Sequence, residues 1–585
     1  MALNDPECLG LAAAALDKVI SVLNANGSSL AGDSLSAIKA LLRVFEDGLK
    51  GNISNDYHLS SIDPGIGKTL SVSTFLKVWR DSGFNPRSSV LVAVSRLEEI
   101  NTYLMQSGLA AGDFAVLTSD PALNGQGVIP QGRAPILFTT QQKIQSRLKS
   151  GGAFDALSEF HFNGAPRVLR IWDESMIPEE GMVLHVDELG LIPIALWQRH
   201  PAFAEAVRQL QRNLMSLVDG DQVTIPDDIA AGAPPQPERP KSWPWEPVVE
   251  KLRTLAGKTL TVTRDGGAGA ALIGGGLPFP ADFPPAIILD ASGRVRPTYR
   301  LWEQHRRGLE RLPPAVNDYR QLHIHLWQRG SGKASLSAAG VQQDIAEALG
   351  ELIGGEKGEA DWLIIHYRDH KGLVDAVKDR LPEPRRSRVK ALTWGRHHGT
   401  NAFADVPNVV VIGQLTYRPI DYTALACAAS GLSPGNVAAR IDMEDLRWGE
   451  FQHHLLQALC RASVRRSRNG VAGPCRAYVI ATPSAQTESR VRETFPHCRL
   501  VEWVPVVKPM SDRVRAAIAY LTERFVAGVH EVSKSDLREH LGMAAKNLGR
   551  DVIAVQAFQD HLSTAGLREE TRRITRKPSF SAYEE

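Results

Sequence analysis

Eight consecutive residues, Ile62-Asp63-Pro64-Gly65-Ile66-Gly67-Lys68-Thr69, have the types and order needed to hold phosphate. Gly67, Lys68 and Thr69 close a loop of the pattern G-x-x-x-x-G-K-[ST]. In such a loop, small residues let backbone N–H groups converge on anionic oxygens. This chemistry assigns the backbone of Pro64, Gly65, Ile66 and Gly67 to a phosphate cradle. Lys68 would reach the outer phosphates, and the Thr69 hydroxyl would ligate Mg²⁺. A helix over about 70–80 would aim its positive end at the same anion. One position departs from the pattern: Ile62 stands where the first glycine usually is, so Pro64 and Gly65 must supply the turn.

A second group of residues could act on what the loop binds. Asp173 and Glu174 follow an apolar run over 168–172. An acidic residue at the end of a buried strand can hold Mg²⁺, and its neighbour can polarise water. Other β-branched or apolar runs lie at 57–60, 89–94, 114–117 and 135–138, with helical patterns between them. Strands alternating with helices imply a parallel sheet covered on both faces, with ligands beyond the strands' carboxyl ends. Ser95-Arg96, Thr139-Thr140 and Asp173-Glu174 all fall at such ends. A second βα series runs through 322–327, 362–366, 389–393 and 409–412. Near its end, Gln457, Arg461 and Arg465 share one face of an amphipathic helix read over about 451–468.

The order of these motifs resembles the superfamily 2 helicases, with DEAD- or DEAH-like boxes, over roughly residues 55–485. The resemblance implies two RecA-like domains with ATP between them and movement along a nucleic-acid strand. Ser95, Arg96, Thr139 and Thr140 would then touch the strand backbone. Asp290-Ala291-Ser292-Gly293 is similar to the motif that links nucleotide state to strand binding. The turn at 395–407 is similar to one that touches both ligands, through Gly399 for nucleotide and Thr400 and Asn401 for the strand. Gln457 would contact nucleotide, and Arg461 with Arg465 would stabilise charge on the transferring phosphoryl group. The second arginine falls one place late, at Arg465 or Arg466, and Cys460 replaces a glycine. No cysteine lies between Lys68 and Asp173, which argues against an iron–sulfur type.

Composition sets the frame. The 585 residues are 43% hydrophobic and 23% charged, with a formal net charge of +2, so any nucleic-acid surface must be local. The five cysteines are scattered, and no run of 18 apolar residues appears, which fits a cytoplasmic protein with no membrane contact. The expected division is a helical lead-in over 1–48, a first α/β domain over 49–314 and a second over 315–507. An excursion over 176–285, rich in Pro and Gly, reads as loops or poor packing. Residues 508–585 read as a winged-helix-like module with a basic tail at 572–577, which favours DNA over RNA. The rival readings are an ATP-switched DNA-binding regulator that does not unwind, and an RNA-remodelling ATPase.

Overall fold

The computed structural model describes residues 10–84, 88–148, 152–179, 181–235, 243–264, 269–274, 279–338, 340–395, 402–505, 511–555, 558–559, 561–562 and 565–576. They form two compact units. The first comprises 1–318, 416–456 and 467–471, and the second the remainder.

The first unit is built on a seven-stranded sheet in the order Leu309–Arg311, Tyr57–Ser60, Ala286–Leu289, Leu169–Asp173, Val90–Val94, Ile136–Thr140, Phe114–Leu117. Every pairing is parallel. Alternation along the strands divides the sheet into two cores. Val90, Val92, Val94 and Ile171 face the helix Lys68–Asp81 and the two N-terminal helices Leu11–Ala25 and Gly32–Lys50. Leu91, Ala93 and Trp172 face the opposite way, onto Phe154, Phe279, Phe283 and Tyr299.

The excursion over 176–285 is better packed than its composition suggests. Its strands Met182–His185, Ala270–Gly274, Thr259–Arg264 and Gln222–Thr224 form an antiparallel sheet. With the helices Pro201–Ser216 and Glu246–Leu255 they enclose a core of their own around Leu184, Val207, Leu252 and Leu272. Glycines and prolines mark its connections, and the apolar residues between them still reach a common interior.

The second unit carries a six-stranded parallel sheet in the order Val389–Thr393, Trp362–His366, Asn408–Ile412, Cys475–Ala481, Leu322–Gln328, Arg499–Glu502. The architecture is thus α/β with two RecA-like parallel sheets in tandem. Residues 511–576 follow the order helix, strand, two helices, two strands, with Glu531–Ser533, Arg573–Arg576 and Leu567–Glu569 in one antiparallel sheet. Val514, Ile518, Leu521 and Phe525 lie in the core of this segment, and Ser533 caps Lys534–His540.

Two differences from the sequence reading matter. The supposed basic tail is largely built into a sheet: Arg573–Arg576 is its middle strand, and Arg573 pairs with Glu531 and Glu570. The run 315–507, read as one domain, gives residues 416–456 to the first unit. There Glu450, fully buried, holds the Arg296 guanidinium through two contacts of 2.5 and 2.9 Å. Burial opposes the guanidinium's charge, but Glu450 overrides it and raises the Arg296 pKa. Removing one partner of such a pair strands a buried charge. Glu450→Ala is therefore expected to lower the unfolding free energy of the first unit by about 3–5 kcal/mol in urea titration. A loss under about 1 kcal/mol would mean that the pair does not anchor this segment.

Candidate nucleotide site

The phosphate loop leaves the strand Tyr57–Ser60 and enters the helix Lys68–Asp81. Ile62 replaces the first glycine because the chain is still extended there. It is fully buried and forms a parallel bridge with Ala315. The turn comes later. Gly65 and Gly67 have φ of +88° and +132°, and a Cβ on Gly67 would meet nothing within 4 Å. The loop therefore has the curvature of an anion nest and open space above it.

Asp63 ties this loop down. Its carboxylate, fully buried, accepts from Arg294 Nε at 3.0 Å and from the Asn317 amide N–H at 3.0 Å. The Asn317 side chain in turn donates to the Pro64 carbonyl at 3.0 Å. Lys68 Nζ donates to the Ile62 carbonyl, so the lysine lies back along its own loop.

Thr69 and Asp173, the two expected Mg²⁺ ligands, are brought together by a residue that the sequence reading passed over. Tyr103, on the helix Leu97–Ser107, is fully buried, and its phenol donates to Asp173 at 2.5 Å while also meeting Thr69. Burial and the neighbouring Asp173 push the Tyr103 pKa well up, so the phenol keeps the proton it donates. Gln141, nine-tenths buried, donates to the Asp173 carbonyl at 2.7 Å. Beside it, Glu174 has φ of +100°, outside the range side chains ordinarily adopt, and its N–H donates to the Leu289 carbonyl at 3.3 Å. Such strain costs about 1–3 kcal/mol and collects at functional positions.

Glu99 is the third carboxylate here. Its Oε2 accepts from Ser95 N at 3.0 Å, Ser95 Oγ at 2.9 Å and Arg96 N at 3.0 Å. Burial, then the charges of Asp173 and Glu174, raise its pKa from 4.5 to about 8. Glu99 and Tyr103 lie four apart on the helix Leu97–Ser107, a spacing too common to single them out in the sequence. Among the described residues, no three His, Cys, Asp or Glu side chains lie close enough to hold a metal by themselves. Mg²⁺ typically takes one or two carboxylates and completes its shell with phosphate and water. The pair Thr69 and Asp173 fits that pattern.

The expected strand contacts fare differently. The strand read as 135–138 runs on through Thr140, so Thr139 is inside the sheet, fully buried, with its hydroxyl donating to the Leu117 carbonyl at 2.7 Å. Thr140 Oγ1 accepts from Lys143 N at 3.2 Å and caps the next helix. The Ser95 hydroxyl is taken by Glu99, and Arg96 is the N-cap of its helix. Of the three hydroxyls, that of Thr139 is turned into the sheet, away from any nucleic-acid strand, whereas Ser95 is only half-buried. Gly399, Thr400 and Asn401 lie outside the described residues.

Asp290 and Ser292 are buried in the first unit. Asp290 accepts from Ser292 Oγ at 2.6 Å and from the Tyr299 phenol at 2.9 Å, and Ser292 Oγ lies 2.6 Å from His453 Nδ1. In the second unit, Arg461 is buried and donates to the Gln457 carbonyl at 3.1 Å and to its Oε1 at 2.6 Å. The helix Met443–Leu459 ends before Arg461, and Arg465 sits in a separate short turn, Ser463–Arg465. The two arginines therefore do not share a helix face, and Arg466 pairs with Asp405 at 2.8 Å.

The parallel sheet, the loop that leads into a helix and the acidic pair at a strand end together form one α/β candidate nucleotide site on the first unit. Known structures of similar fold include Xpd4 from S. tokodaii, with 10% identity, a TM-score of 0.42, and 79% of this chain and 99% of that chain covered. S. cerevisiae Dbp5 bound to RNA and ADP BeF3 is 11% identical with a TM-score of 0.36, covering 86% of this chain and 97% of that one. The DEAD-box helicase Mss116, bound to ssRNA and UDP-BeF, is 10% identical with a TM-score of 0.35, covering 94% and 91%. No family model and no curated protein matches the chain. No helix among the described residues is long and apolar enough to cross a membrane.

Glu99 gives the site a pH signature. A carboxyl whose folded pKa is raised holds its proton more tightly folded than unfolded. Its stabilising contribution is complete below 4.5 and is lost as pH climbs to about 8. Metal-free protein is expected to melt lower at about pH 9 than at about pH 6, and Glu99→Gln should flatten part of that fall. An equal fall in the variant would assign the effect to other groups.

Proposed function

We propose that this chain is an ATP-dependent helicase or translocase, with DNA its favoured strand. The observation that carries the reading is the buried meeting of Thr69, Tyr103 and Asp173 beside an open, positively curved phosphate loop. The residues fit the group they would hold. Pro64 to Thr69 would cradle the phosphates of ATP, and Thr69 with Asp173 would hold Mg²⁺. When bound, ATP supplies the free energy of phosphoryl transfer to water. Glu174, kept in place by its backbone, orients and deprotonates the attacking water. From the second unit, Gln457 and Arg461 serve the nucleotide, with Arg461 stabilising charge that develops in transfer.

The domain division proposed is 1–48 as lead-in, 49–314 joined by 416–456 as the nucleotide-binding domain, the rest of 315–507 as its RecA-like partner and 508–585 as the duplex-facing module. The preference for DNA draws on the winged-helix-like order of that module, a shape that sets a helix against a groove. Strand displacement on DNA and RNA duplexes of both polarities tests the reading. Failure to displace either, with ATP hydrolysis intact, would favour a switch over a motor.

Lys68→Ala is expected to weaken both ATP binding and turnover. Glu174→Gln should still bind ATP while losing about 10²–10⁴-fold in turnover. Normal hydrolysis by Glu174→Gln would sink the assignment. Arg461→Ala should lower kcat with nucleotide affinity kept, the pattern of a contact made in the transition state. A parallel loss of affinity or of thermal stability would mark Arg461 as structural.

A further inference from the structure

The buried contact between Tyr103 and Asp173 sets what Asp173 can offer a cation. The strand Val90–Val94 lies beside Leu169–Asp173, with Ala93 opposite Trp172. The helix that follows it, Leu97–Ser107, therefore brings Tyr103 to the end of the acidic strand. Tyr103 is fully buried, and its ring packs 6.1 Å from that of Phe138. Its hydroxyl is thus fixed on the protein side of Asp173, which is itself half-buried, as is Thr69.

One phenol can donate one proton and accept another. The proton of Tyr103 goes to Oδ2 of Asp173 at 2.5 Å. The contact with Thr69 lowers the proton affinity of the phenol, which makes Thr69 the donor. A single side chain therefore orders both residues. The Thr69 hydroxyl turns its proton to Tyr103 and keeps lone pairs for a cation. Asp173 has Oδ2 engaged by a neutral donor, so a cation meets it chiefly through Oδ1.

Divalent cations differ in the number of oxygens they accept. Mg²⁺ demands near-octahedral geometry and binds through one or two carboxylates plus phosphate and water. Ca²⁺ takes about six to eight oxygens and accepts both oxygens of one carboxylate. We infer that Tyr103 is a positioning residue that limits Asp173 to one metal-facing oxygen and so selects Mg²⁺ over Ca²⁺ at the nucleotide site. The inference rests on the reading of Thr69 and Asp173 as the metal ligands.

The test uses full-length protein and a fluorescent ATP analogue that is not hydrolysed. Its anisotropy is followed while Mg²⁺ or, separately, Ca²⁺ is added. Wild-type protein should reach half-saturation at lower Mg²⁺ than Ca²⁺. Tyr103→Phe keeps the ring and removes the hydroxyl. It should raise the Mg²⁺ half-point about tenfold, the size expected when a group that orients a metal ligand is lost, and leave the Ca²⁺ half-point unchanged or lower. Asp173→Asn tests the underlying reading and should remove most of the metal dependence. If Asp173→Asn does so while Tyr103→Phe keeps the wild-type ratio of half-points, the selection by Tyr103 is refuted and the metal site stands. Equal weakening in both metals would mark Tyr103 as merely structural. Metal dependence left intact by Asp173→Asn would overturn the metal-site reading and the inference with it. The wild-type comparison needs no variant, so it decides even if Tyr103→Phe does not fold: equal half-points for the two metals would overturn the selection.

Discussion

Like charges held close together in a half-buried cluster are the constraint on which the first unit is built. Burial and the charges of Asp173 and Glu174 raise the proton affinity of Glu99, whose pKa is pushed up to about 8. Such a group persists in a fold only if each member is given donors or a proton. The protein does both. Ser95 and Arg96 donate to Glu99, and Tyr103 donates to Asp173. Gln141 fixes the Asp173 carbonyl, and an unfavourable backbone angle places Glu174. The parallel sheet brings the strand ends side by side, and the helix Leu97–Ser107 supplies both the third carboxylate and the phenol.

That helix shows where the sequence was legible. Strands such as Phe114–Leu117, Trp362–His366 and Ala286–Leu289 stand out as apolar, β-branched runs, and they form where the pattern puts them. The Gly-Lys-Thr loop and the Asp-Glu pair are short, contiguous and chemically specific. Tyr103 and Glu99 are neither contiguous with the motifs nor unusual in a helix. Their importance comes from a contact seventy positions away, which no local pattern carries. Arg461 and Arg465 failed in the opposite sense: a spacing of four promised one face, but the helix stops at Leu459.

The second sheet offers a similar lesson. Cys475–Ala481 lies between Asn408–Ile412 and Leu322–Gln328, yet the sequence reading assigned no strand there. Its first residues, Cys475 and Arg476, blur an otherwise apolar run. Thr139 was misplaced by a boundary error of two residues, enough to turn a supposed surface contact into a sheet residue. Composition misled most in the excursion, where glycine and proline suggested looseness and the apolar residues between them built a core.

The absent first glycine of the phosphate loop bears on the order in which the protein assembles. A glycine would let the loop curl by local freedom alone. Here Ile62 bridges Ala315, and Asp63 is tied to Arg294 and Asn317, 231 and 254 positions downstream. Contacts that distant form late, because closing a long loop costs entropy before any contact repays it. A growing chain that has not yet reached residue 317 therefore possesses the phosphate-loop sequence without its shape. The loop takes its shape only after the sheet closes around the Tyr57–Ser60 strand, so an incomplete first unit lacks the cradle itself.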